Sequence, residues 1–150
     1  MRSTWTRIGL AYIGACYALV GFWAAIAPRS FYTDFPGAGR HWIAPDGPYN
    51  QHLIRDVGEL NLALLVVVAW AAVTLSLPLV RAALVATLVN GVLHVVYHVG
   101  HVDMFSSSDQ VAIIGSLLLA PIVAILLLLT VRESAPAVRE TSAAAGSVVR

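Results

Sequence analysis

At 150 residues, with 59% hydrophobic and 11% charged side chains, the chain is far more apolar than a soluble domain, in which about a quarter of residues are charged. Nine basic residues against eight acidic ones give a formal net charge of +1, every basic residue is an arginine, and no basic run exists. That distribution excludes a nucleic-acid footprint. One cysteine, Cys16, lies in an apolar segment, so an intrachain disulfide, a CxxC pair, a c-type haem attachment and a thiolate zinc site are all excluded. Its simplest role is that of a small buried apolar residue.

The first apolar segment, 8–27, follows Arg2 and Arg7. Ala25, Ile26 and Ala27 resemble a signal-peptide cleavage site, but the segment has the length of a spanning helix and Pro28 follows at once. Gly14, Ala18, Gly21 and Ala25 recur at four and three residues, a small-residue face for close helix packing. Residues 29–50 break all periodicity and carry Phe31, Tyr32, Phe35, Trp42 and Tyr49, with dense turn chemistry at FPGAG and PDGP. They are expected to form an aromatic loop at the membrane interface, either covering a site or anchoring the headgroup layer.

The second apolar segment runs from His52 to about Leu77, and a third follows after a break at Leu77–Pro78, reaching His101 or Val102. So short a connection makes the two helices antiparallel neighbours. The polar turn DMFSSSDQ offers Ser108 or Asp109 as a cap for the fourth segment, 111–131, in which Pro121 is a candidate kink. The expected fold is therefore all-α: a four-helix transmembrane bundle over 1–132, a long aromatic loop between helices one and two, and a disordered cytoplasmic tail over 133–150. Arg2, Arg7, Arg81, Arg132, Arg139 and Arg150 fall on one side, against Arg29, Arg40 and Arg55 on the other. The positive-inside rule then places both termini in the cytoplasm, with the loop outside.

Two polar rows interrupt this apolar plan. HLIRDVGE carries His52, Asp56 and Glu59; NGVLHVVYHVGH carries His94, His98 and His101. Each trio is spaced i, i+4, i+7, which returns to within roughly 40° on one helix face. If helices two and three pair directly, His52 comes level with His101, Asp56 with His98 and Glu59 with His94. An acid at a helix centre costs about 2.5–3.5 kcal/mol on insertion scales, so such groups are expected to face the bundle and find partners there.

Three readings stay open. In the first, His52, Asp56, Glu59, His94, His98 and His101 supply the ligands of a divalent transition metal, Zn, Fe, Mn or Cu, with Tyr97 behind them. If that site is catalytic, metal-assisted hydrolysis or oxidation of a lipid-like substrate is the expected chemistry, with Glu59 or Asp56 as ligand or general base and Arg55 holding an anionic group. In the second, the rows form a proton or ion pathway, although polarity runs out below Asn90 and Thr87. In the third, they only specify helix pairing in an accessory or interaction subunit: Arg55 pairs with Glu59 and Asp56 with a histidine. Haem is disfavoured, because helices in contact leave little room for a porphyrin. Membrane lipid, a second copy of the chain and another membrane protein are the partners this class implies. Asn61 points away from its row and is expected to bond a different helix, while His41 and Arg40 are loop residues that solvent alone explains.

The stretches APRSFYTDFPGAGRHW, DGPYNQHLIRDVGELNLAL and HVVYHVGH resemble a group of uncharacterised small four-span integral membrane proteins of high-GC bacteria. That resemblance implies the four-span topology and carries no activity. No HExxH or GxSxG signature is present.

Overall fold

The computed structural model describes residues 2–131; the tail expected over 133–150 lies outside them. Four long helices dominate: α1 (Arg2–Ile26), α3 (Gln51–Thr74), α4 (Leu77–Val99) and α5 (Ser107–Thr130), with a short α2 (Pro28–Asp34) after the first. All four are long and apolar enough to cross a membrane. At 1.5 Å per residue a 24-residue helix spans about 36 Å, more than the roughly 30 Å hydrocarbon core. The protein is thus built as a multi-pass, four-helix transmembrane bundle. One end carries the start of α1, the α3–α4 link and the end of α5; the other carries the aromatic loop, called here the loop end.

Helix boundaries follow from local chemistry. Asn50 caps α3 by accepting a hydrogen bond from the Leu53 N–H at 3.1 Å. The α3–α4 link is only Leu75–Ser76, with Leu75 in the left-handed region at φ 51° and Pro78 in the first turn of α4. The cap of α5 is Ser106, ahead of both Ser108 and Asp109, the candidates expected from the sequence; its hydroxyl accepts from the Asp109 N–H at 3.3 Å and donates to the Asp109 carboxylate at 2.8 Å. Pro121 lies inside α5, which runs through it.

The helices pack as two close pairs. In the first, α1 lies along α3 over most of their lengths. The expected small-residue face accounts for this: a methyl group added at Gly21 would stand 2.9 Å from Leu62, and one at Gly58 would stand 2.5 Å from the backbone nitrogen of Ala25. In the second, α4 lies along α5, with Gly91 seated on the Pro121 ring. The pairs share one apolar core, in which Leu10, Ile13, Tyr17, Val68, Ala71, Val80, Leu84 and Ala124 are buried. Helices α3 and α4 do touch, but each has its larger interface elsewhere. Sequence adjacency through a short link made them neighbours without making them principal partners.

A polar link between Tyr17 and Thr87 crosses this core. Tyr17 donates to the Thr87 hydroxyl at 3.2 Å, and Thr87 donates onward to the Ala83 carbonyl at 2.9 Å. Tyr17→Phe should lower stability by about 0.5–1.5 kcal/mol, because Thr87 keeps its own bond. Thr87→Val should cost more, since it strands a buried phenol. Thermal unfolding of the two variants in one detergent gives the order; the reverse order would contradict this hydrogen-bond direction.

The loop is more ordered than its composition suggests. After α2, strands β1 (Pro36–Gly37) and β2 (Arg40–His41) form a minimal antiparallel hairpin whose turn residues, Ala38 and Gly39, both have positive φ. A 3-10 turn follows at Ala44–Asp46. Trp23, Phe31, Phe35 and Trp42 stack edge to face with centroids 5.8–6.3 Å apart along the chain of contacts, and Phe31 and Phe35 lie 4.8 Å apart. This cluster, with Ala24 and Ile54 buried beside it, roots the loop on the α1–α3 pair.

Candidate functional site

Helix α4 positions its histidines by extending its packing seam. Val80, Leu84 and Thr87 are buried, and Gly91 faces Pro121. The same alternation of four and three residues continues through His94 and His98. These residues therefore lie on the side of α4 that is buried lower down, at a level where the bundle opens towards the loop. His94 and His98 face each other with their Nε2 atoms 3.0 Å apart, one ring donating and the other accepting. Their planes are tilted by 34°, with centroids 4.8 Å apart. The Nδ1 atom of His98 is buried and has no hydrogen-bond partner among the described residues.

His101 takes a different position. Helix α4 ends at Val99 with Gly100 as its cap, and His101 folds back so that its Nδ1 donates to the Tyr97 carbonyl at 2.7 Å. Its ring stacks on Tyr97 with centroids 4.2 Å apart. It closes the helix end and leaves the pair to His94 and His98.

The loop brings an acid to this pair. Tyr97 donates its hydroxyl to Asp46 of the 3-10 turn, 3.1 and 3.2 Å from the two carboxylate oxygens. Tyr97 in turn lies edge to face against His98, with ring centroids 5.3 Å apart. Sequence reasoning missed Asp46 because a PDGP turn has no period to place it against a helix; its one signal was that a turn acid stood in the loop expected to cover the site. A second tie joins loop to bundle at Asp109, which accepts from Trp42 Nε1 at 2.9 Å and pairs with Arg40. The aromatic loop thus spans from the α1–α3 pair to the α4–α5 pair.

The α3 row stands apart from this arrangement. His52 contacts Asp56 at 3.4 Å on its own helix, and no hydrogen bond or ion pair among the described residues joins His52, Asp56 or Glu59 to the α4 histidines. The cause is helix rotation. Ile54 and Gly58 face α1, and at 100° per residue the row lies about 150° around the helix from them. Arg55 donates to the Ala25 carbonyl at 2.9 Å, so it ties α3 to α1 and does not reach Glu59. Asn61 bonds the Val57 carbonyl of its own helix at 2.8 Å, not another helix. His41 meets the Thr33 carbonyl within the loop. Among the described residues, no three His, Cys, Asp or Glu side chains form a metal-holding group.

Against protein-family models, curated proteins and solved structures, the chain has no match.

Proposed function

We propose that this is a multi-pass protein of the bacterial inner membrane, both termini cytoplasmic, whose His94–His98 pair binds a divalent transition metal beneath the extracytoplasmic loop. The Nε2–Nε2 approach of 3.0 Å carries the reading. Two imidazole nitrogens bound at about 2.0–2.1 Å and subtending about 90° at a metal stand about 2.9 Å apart. Histidines at i and i+4 on one helix face are a recurrent way to present two such nitrogens. Asp46, which Tyr97 orients, does not close on the pair in this structure and would be drawn in as the third ligand on metal binding. Nitrogen and oxygen donors without sulfur suit Zn²⁺, Fe²⁺, Mn²⁺ or Cu²⁺.

The test is calorimetric titration of the detergent-purified protein with Zn²⁺ and Mn²⁺ separately. One metal per chain is expected, with stoichiometric binding lost in His94→Ala and His98→Ala. Tyr97→Phe should weaken affinity by about 10–100-fold, as loss of an orienting partner does. Binding that is absent from the wild type, or unchanged in both histidine variants, would sink the proposal.

A further inference from the structure

A second feature lies on a different helix face and does not depend on the metal site. Residues 52, 56, 59, 63, 66, 70 and 73 alternate at four and three along the whole of α3. That is the 3.5-residue period of an a/d seam, the pattern of a helix packed lengthwise on another. Yet none of the described helices occupies it: the His52 side chain is 87% exposed, Asp56 45%, Val66 61%, Trp70 64% and Val73 75%, and Glu59 and Ala63 are exposed too. Glu59 has no hydrogen-bond or ion-pair partner among the described residues. It stands eight residues, about 12 Å, into a spanning helix. A lone carboxyl facing lipid there is unfavourable, so the seam calls for a cover that brings polar partners at its loop end and apolar contact below.

We infer that α3 is the contact face of a symmetric dimer in the membrane, and that Asp56 and Glu59 set its register. Two copies sharing one membrane orientation can bring α3 against α3 only in parallel, around a twofold axis normal to the bilayer. Each seam position then meets its own counterpart. The match is one of charge: the His52 layer lies one step from Asp56 of the second copy, so imidazole meets carboxylate across the axis. In the next layer Glu59 meets Glu59 of the second copy, a polar pair in place of a lone carboxyl facing lipid. Ala63, directly below, lets the backbones approach closely enough for these side chains to meet. Val66, Trp70 and Val73 continue the contact as apolar layers.

The decisive experiment uses the full chain in lipid vesicles, with Cys16→Ser as background and single cysteines introduced by Ala63→Cys, Val66→Cys and Leu60→Cys. Leu60 is exposed on α3 but lies about 80° off the seam, and so controls for random collision. Oxidation should give a disulfide-linked dimer from Ala63→Cys or Val66→Cys and little from Leu60→Cys. Energy transfer between labelled copies should show association weakened by roughly three- to tenfold in Glu59→Leu and largely kept in Glu59→Gln, the range of one interhelical hydrogen bond. Because Glu59 is exposed and makes no hydrogen bond or ion pair among the described residues, both variants should fold as the wild type does. Equal cross-linking at Leu60, none at the seam, or unchanged association in Glu59→Leu would overturn the dimer.

Discussion

Gly58→Ala is expected to loosen the α1–α3 pair along its length, although a single methyl group is added. In an isolated helix the change would be favourable by about 1 kcal/mol, because glycine is a poor helix former. Here the new methyl would meet the Ala25 nitrogen at 2.5 Å, and the Ala24 carbonyl carbon and Ala25 Cα at 3.0 Å each. All three atoms belong to the α1 backbone, so no side-chain rotation relieves the contact. The helices must separate by about 1 Å, and close approach between small residues is the main source of attraction between helices in lipid. Overpacking of this kind costs typically 1–3 kcal/mol. Separation would also pull the Ala25 carbonyl from Arg55, which approaches it at 2.9 Å. Gly115→Ala is the matched control, since nothing lies within 4 Å of the added methyl. Thermal unfolding in one detergent should show a clear fall for Gly58→Ala and no loss for Gly115→Ala. A Gly58→Ala protein as stable as the wild type would contradict the close crossing.

Gly58 also shows where sequence reading reached and where it stopped. Hydropathy and length marked all four spans, and the spacing of Gly14, Ala18, Gly21 and Ala25 marked the face of α1 that seats α3. The neighbouring positions of His94 and His98 on α4 were legible because they continue a helical period, whereas His101, read as the third of that row, lies past the end of the helix. What a period cannot give is the rotation of one helix against another. The α3 row was equally regular, yet Gly58, one position before Glu59, fixes which side of α3 meets α1 and turns the acids to the outside. Asp46 and Asp109 were illegible for a different reason. Their partners, Tyr97, Trp42 and Arg40, lie about fifty to seventy residues away in sequence, and only the folded loop brings them together.

Asp109→Ala is expected to free the loop from the α4–α5 pair while leaving the helices in place. Asp109 accepts from Trp42 at 2.9 Å and from Ser106 at 2.8 Å and pairs with Arg40, so one carboxylate joins β2 and the residue after it to the first turn of α5. The aromatic cluster holds the other side of the loop on α1 and α3, and substitution at Asp109 does not touch it. What remains towards α4 is the Asp46–Tyr97 bond alone. Arg40 then loses its carboxylate, and the peptide bond after it becomes the natural place for trypsin to act. Cleavage there should rise several-fold, because proteolysis follows the population of the opened segment when closing is fast. Asp109→Asn keeps an acceptor for Trp42 but not the charge for Arg40 and should fall between the two. The same loosening should reach the proposed metal site, since Asp46 lies on the freed segment: if the His94–His98 pair binds a metal with Asp46 drawn in, affinity in Asp109→Ala should drop while both histidines are intact. Equal trypsin cleavage after Arg40 in the wild type and Asp109→Ala would show that the loop is held by its aromatic root alone. In that case Asp46 would reach the histidines without help from α5.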